Sequence, residues 1–333
     1  MLALHPARLL FLSTLMLGAF IALSSSSWFT AWLGLELNLL SFIPLIASKS
    51  NTYSSEAALK YFLIQALGSS IILASAAALI WISLKPTYMI LSALLLKMGA
   101  APVHFWFPSV MQGIGWSQCM MLMTIQKVAP MLMISYVMTS ATAYMILISS
   151  ILSSLAGGVG GLNQVLMRKI MAYSSINHMA WMLAAVYVST PLWLNYFIVY
   201  SIVSATVVSV LHSQQIFHFS HLSSLTHQST LTKVATIFAL LSLGGLPPFL
   251  GFIPKMMVIQ HFVADGSLLW LSILLFSALI TLFYYLRVIT AALTLSSPKM
   301  KGFSKFPMNS TLMALSFINL FPLLTPALLV SPI

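Results

Sequence analysis

Apolar runs long enough to cross about 30 Å of hydrocarbon recur along the whole chain. They predict spanning helices near 9–24, 27–47, 57–84, 87–112, 118–138, 142–162, 168–190, 191–212, 231–264, 267–293 and 309–331. The polar interruptions are short, and no Pro/Ser-rich linker separates two regions, so residues 1–333 read as a single transmembrane domain. The predicted fold is an all-α polytopic membrane protein of about eleven transmembrane helices. The fourth and ninth spans, near 87–112 and 231–264, are broken by Gly and Pro. Gly99-Ala-Ala-Pro102-Val-His-Phe-Trp-Phe-Pro108 aligns without gaps on Gly245-Leu-Pro-Pro248-Phe-Leu-Gly-Phe-Ile-Pro254. The two segments lie five helices apart, an odd number, which predicts repeats of opposite membrane orientation. Inverted repeats with helices broken near the midplane are a sequence signature of transport folds.

Composition and charge sharpen this picture. Residues are 60% hydrophobic and 5% charged, against roughly 25% charged in a soluble domain, which excludes a water-soluble fold. The 14 basic residues outnumber 3 acidic ones, but they are too scattered for a nucleic-acid surface. They report orientation instead. Arg8, Lys49, Arg168, Lys169, Lys233, Lys299, Lys301 and Lys305 fall on the side of the N-terminus, and Lys85 falls on the other. That bias predicts the N-terminus inside and the C-terminus outside. Cys119 is the single cysteine, so the chain alone supplies neither the thiolates of an iron–sulfur cluster nor an internal disulfide. Met1 to Ser24 reads as the first spanning helix and not as a cleaved signal, because equally apolar segments follow it.

Glu36 in the second span, Lys97 before the first break, Lys127 in the middle of the fifth span and Lys255 after the second break are predicted at similar depth. A charge there costs on the order of 3 kcal/mol on insertion scales, so such residues need partners, water or a function. Structural ion pairing is the alternative to proton transfer for any one of them. Low dielectric disfavours a charged amine and a nearby carboxylate favours it, which makes a buried lysine switchable. Glu36 is the expected counter-ion of Lys97. Lys97 lies at a half-helix C-terminus, whose dipole favours positive charge, and Lys255 at a half-helix N-terminus, whose dipole opposes it. Lys60, one turn after Glu56, and the histidines His104 and His178 are secondary proton-relay candidates. Lys60 and Arg287 lie near span ends, where snorkelling to the interface competes with a functional role. His212, His218, His221 and His227 share one loop, but their spacing fits no standard zinc pattern, so no metal site is expected. Gly157-Gly-Val-Gly-Gly161 follows no strand and reads as a helix-packing surface.

These residues carry a family resemblance. Trp32-Leu-Gly-Leu-Glu36-Leu-Asn-Leu-Leu-Ser-Phe-Ile-Pro44, Glu56-Ala-Ala-Leu-Lys60-Tyr-Phe and Leu96-Lys97-Met-Gly-Ala-Ala-Pro-Val-His104-Phe-Trp-Phe-Pro108 are three of its segments. Gly161-Leu-Asn-Gln, Arg168-Lys-Ile-Met-Ala-Tyr-Ser-Ser-Ile-Asn-His178-Met and Gly244-Gly-Leu-Pro-Pro-Phe-Leu-Gly-Phe-Ile-Pro-Lys255 complete the set. The chain resembles the antiporter-like membrane subunits of mitochondrial respiratory complex I, in the eleven-helix animal form. The resemblance implies antiporter-like inverted repeats and a proton path through Glu36, Lys97, Lys127 and Lys255. It also implies no cofactor on this chain, with NADH, FMN, iron–sulfur clusters and ubiquinone handled by partner subunits. The implied location is the mitochondrial inner membrane, with the N-terminus in the matrix. Implied partners are the other complex I subunits, especially neighbouring antiporter-like and small membrane-arm subunits, with lipids such as cardiolipin as candidates and no nucleic acid. A stand-alone cation/proton antiporter and a scaffold with a closed path are the rival functions.

Overall fold

A chain with no water to hydrogen-bond in its apolar stretches must satisfy its backbone internally, and helices do so within one segment. The computed structural model of this chain describes residues 6–47, 51–81, 86–222, 230–294 and Asn319. Among them no strand occurs, and the one β-type contact is an isolated bridge between Leu166 and His218. The helices are α1 (Pro6–Ser24), α2 (Trp28–Ile46), α3 (Thr52–Trp81), α4 (Thr87–Met98), α5 (Trp106–Gly113), α6 (Trp116–Met123) and α7 (Ile125–Val137). They continue as α8 (Ser140–Leu162), α9 (Met167–Val188), α10 (Thr190–Ser213), α11 (Thr230–Gly244), α12 (Phe252–Ala264) and α13 (Leu268–Thr294). The first ten predicted runs are thus helical. The eleventh, 309–331, lies outside the described residues, as do Lys49, Lys85, His227, Lys299, Lys301 and Lys305.

The chain divides into two compact units, Met1–Ser149 and Ser150–Ile333, with the division inside α8 and not in a linker. In the first unit α1 lies along α2, α3 contacts α2, α4 and α5, and α7 packs on α1 and α4. The α1–α2 contact is close because glycine meets backbone. A Cβ on Gly34 would lie 2.5 Å from the Ala22 nitrogen, and one on Gly18 would lie 2.8 Å from the Asn38 nitrogen. Small residues at such crossings let membrane helices approach and gain van der Waals contact where no hydrophobic drive exists.

In the second unit α10 packs on α9, α11 and α12, and α13 packs on α9, α11 and α12. Helix α9 is buried along most of its length and carries Ser174, Ser175, Asn177 and His178 inward. Its polar side chains are used internally: Ser277 Oγ donates to Asn177 Oδ1 at 3.1 Å. The glycine run predicted as a packing surface has that role, since a Cβ on Gly157 would meet the Asn177 nitrogen at 2.6 Å and one on Gly161 would meet Tyr284. Outward faces are apolar, as at Leu17 and Phe20 of α1 and Leu279 and Phe283 of α13.

Both predicted breaks are present, and they are built alike. Gly99 ends α4 with φ +74° and Gly245 ends α11 with φ +78°. Ala100 N donates to Leu95 O at 3.1 Å, and Leu246 N donates to Leu241 O at 3.5 Å. Phe107 N then donates to His104 O, as Ile253 N does to Leu250 O, at the equivalent positions of the gap-free alignment. Each break is therefore a left-handed C-cap of Schellman type, followed by the same return into a second half-helix.

The fifth span departs from its expectation of one continuous helix. It is interrupted at Thr124, whose backbone sits at φ −114°, ψ −79°. The Thr124 hydroxyl donates back to Met120 O at 2.7 Å, the local bond by which Ser and Thr bend helices. Lys127 is consequently the third residue of α7 and follows a discontinuity.

Placing leucine at Gly34 forces α1 and α2 apart, an overpacking cost of about 1–3 kcal/mol. Thermal unfolding of the detergent-solubilised assembly checks this: a lower transition temperature is expected for Gly34→Leu, and an unchanged one contradicts the packing account.

Candidate functional site

In the first unit the end of α4 is finished by side chains. Gln65 of α3 donates to the Lys97 carbonyl at 3.1 Å, and the Trp106 indole donates to the Leu96 carbonyl at 3.1 Å. These carbonyls are among those a helix C-terminus leaves without intrahelical donors. Lys97 is buried, and its stem runs beside Gly68, where a Cβ would approach Lys97 Cγ to 3.0 Å. Lys127, 2% exposed, places its ammonium 5.1 Å from the centroid of the Phe107 ring, within cation–π range.

Lys97 and Lys127 line the same internal cavity, of about 20 Å³, together with Asn38, Tyr61, Gln65 and Gln126. That is room for about one ordered water. Its polar wall is hydrogen-bonded: Tyr61 Oη donates to Gln126 Oε1 at 3.1 Å, and Gln126 Nε2 donates to Asn38 Oδ1 at 2.8 Å. These three residues are not among the proton-transfer candidates expected from the sequence. The available signal was an amide inside an apolar span, at Asn38 two residues beyond Glu36 and at Gln126 beside Lys127.

Glu36 is partly buried, and its Oε2 is enclosed and accepts no hydrogen bond. Its carboxylate acts on Lys97 electrostatically, but among the described residues the two form no contact ion pair. Lys60 does pair with Glu56, at 2.6 Å, yet both side chains are about half exposed and neither lines the cavity. The His104 ring lies tilted against Phe105 in the break, with centroids 4.3 Å apart, and is outside the cavity wall.

In the second unit Lys255 occupies the first turn of α12 and donates from Nζ to Gly244 O at 2.9 Å. The ammonium therefore sits at the N-terminus of one half-helix and on the terminal carbonyl of the other. The opposing dipole expected for Lys255 is offset by this second, favourable helix end. Trp181 of α9 lies below it, with its ring centroid 5.9 Å from Nζ. His178, one turn earlier on α9, hydrogen-bonds Tyr196 through Nδ1 at 3.0 Å and packs on Tyr200. It lines a cavity of about 10 Å³ whose wall includes Ser242, Gly251 and Pro254 of the broken segment. His178 is thus brought to the second break; Lys97 and Lys127 are brought together in the first unit.

Arg287 donates from its guanidinium to the carbonyls of Leu162, at the end of α8, and Gln164, in the α8–α9 connection. Among the described residues no group of three or more His, Cys, Asp or Glu is gathered for a metal ion.

The family model described as NADH:quinone oxidoreductase/Mrp antiporter, TM, matches residues 25–84 and 83–281. NADH-ubiquinone oxidoreductase chain 2 of Anopheles gambiae is 44% identical over 318 residues, covering 93% of this chain and 92% of the relative. The same subunit of Lumbricus terrestris is 38% identical, covering 98% and 97%. Among solved structures, a chain of respiratory complex I from Thermus thermophilus with bound aureothin superposes with TM-score 0.85 at 25% identity, covering 97% of this chain and 79% of that one. A chain of the Mrp complex from Dietzia sp. shares the fold, with TM-score 0.82 at 17% identity over 96% of this chain and 75% of that one.

Gly245 and Gly266 both have left-handed backbone, with φ +78° and +71°. Alanine at either costs about 1–2 kcal/mol of backbone strain. A Cβ at 245 also meets Lys255 Nζ at 2.9 Å, whereas one at 266 meets nothing within 4 Å. Gly245→Ala is therefore expected to slow proton translocation beyond what Gly266→Ala does at matched assembly. Equal effects of the two variants contradict a Lys255 position set by the glycine.

Proposed function

Because the chain belongs to the NADH:quinone oxidoreductase/Mrp antiporter family, we propose that Glu36, Lys97, Lys127 and Lys255 are its proton-transfer groups. The chain is a multi-pass membrane subunit of respiratory complex I, a NADH–ubiquinone oxidoreductase, and works among other subunits of that complex. It translocates protons while electrons pass from NADH to ubiquinone elsewhere.

The observation that carries the residue assignment is the cavity shared by Lys97 and Lys127, where Asn38, Tyr61, Gln65 and Gln126 add polar groups to a partly apolar wall. A proton moving between two amines needs a short polar connection, and a cavity of water size supplies one. Glu36, held near Lys97 without contact, is the switch. Approach of the carboxylate favours the ammonium form, and withdrawal favours release. Lys255 serves the second unit, with His178 beside the same break as relay. Lys60 and His104 lie outside the cavity wall and are secondary relay groups in this reading.

The N-terminus faces the matrix and the C-terminus the intermembrane space, as the basic-residue bias requires. The two units work as one transmembrane domain. NADH, FMN, iron–sulfur clusters and ubiquinone are bound by partner subunits. The nearest partners are neighbouring antiporter-like and small membrane-arm subunits, with cardiolipin as a lipid neighbour.

Lys97→Met, Lys127→Met and Lys255→Met, each in the assembled complex, test this. Protons translocated per NADH oxidised, or coupled turnover, is expected to fall for every one. Full assembly with both quantities unchanged instead favours a scaffold. Persistence of the chain as a small free species on native electrophoresis favours a stand-alone antiporter.

A further inference from the structure

Two lysines at one cavity do not by themselves define a proton step, because the connecting water must be oriented. The hydrogen-bonded wall of the cavity addresses this. Gln126 of α7 is held from both sides, by the Tyr61 hydroxyl of α3 and by Asn38 of α2. Tyr61 is 2% exposed and Asn38 3% exposed, while Gln126 between them in this strap is partly buried. The Tyr61 ring is fixed too, edge-on to Phe42 at 5.2 Å and 6.0 Å from Trp106.

The donor and acceptor count is informative. The Gln126 amide uses its oxygen on Tyr61 and one N–H on Asn38, which leaves one N–H. Tyr61 uses its hydrogen on Gln126, which leaves its oxygen lone pairs as acceptor. Between them, Gln126 and Tyr61 therefore leave one N–H donor and one acceptor oxygen at the cavity they line. A buried water makes two to four hydrogen bonds. If it accepts from Gln126 and donates to Tyr61, it retains one lone pair and one hydrogen, one for each lysine.

The geometry points to Tyr61 and Gln126 as positioning residues for proton transfer between Lys97 and Lys127, acting through a water they orient. This rests on the proton-transfer reading above and adds the residues that make the step directional. In the step, an N–H bond of one lysine's ammonium breaks as its proton joins the water oxygen. An O–H bond of that water breaks as its proton joins the other lysine's neutral amine. One lysine ends neutral, the other charged, and the water is regenerated. The strap itself carries no net charge at any point.

The test uses the assembled complex with Tyr61→Phe, which keeps the ring and removes the hydroxyl, and Gln126→Met, which keeps the length and removes the amide. Lys127→Met is the reference. Translocation is read with its solvent deuterium isotope effect and its pH profile. Loss of one orienting hydrogen bond is expected to slow translocation about five- to tenfold, with a larger isotope effect, at normal assembly. Normal translocation in both strap variants with a defective Lys127→Met overturns the strap and leaves the proton reading standing. Slower translocation with unchanged isotope effect and pH profile means a packing role only and also overturns it. Normal translocation in all three removes the proton reading and the strap together.

Discussion

Everything in this protein depends on a constraint from its solvent: in hydrocarbon, a backbone polar group without a partner costs several kcal/mol. A continuous helix meets the constraint automatically. A helix that stops inside the membrane does not, and its terminal groups must be met by something else. Here they are met by side chains and local turns: Trp106 and Gln65 on the end of α4, Lys255 on the end of α11, and the Thr124 hydroxyl on Met120. The residues that repair the breaks also bring polar chemistry to the interior.

That coupling explains why the interior lysines are found at helix ends. Lys97 closes α4, Lys127 opens α7 after the Thr124 interruption, and Lys255 opens α12. A helix end supplies a fixed field and irregular backbone, hence both electrostatic bias and space for water. Gly99 and Gly245 supply the same turn in each unit, but the lysines are not at equivalent positions of the repeat. Lys97 precedes its glycine by two residues, whereas Lys255 follows its glycine by ten. The repeat preserves the break and varies the charge placed on it.

Much of this was legible in the sequence, because apolar length and Gly/Pro spacing are local properties. Helix over the first ten predicted runs and both Gly/Pro breaks followed from those signals. Features that depend on three-dimensional neighbours did not. Nothing in the hydropathy of 118–138 marks Thr124, since threonine back-bonding leaves composition unchanged. Asn38, Tyr61 and Gln126 are 88 and 65 positions apart along the chain in their two bonds and become a unit only through packing of α2, α3 and α7. The partners of Arg287, the carbonyls of Leu162 and Gln164, are likewise distant in sequence.

The most direct measurement of the central claim is a map of the intact complex at a resolution that shows ordered water in the first unit. The account predicts water density in the cavity bounded by Lys97, Lys127, Tyr61 and Gln126, within hydrogen-bond distance of both ammonium groups or of further waters that reach them. A dry cavity, with the two lysines sealed from each other by apolar side chains, would contradict it.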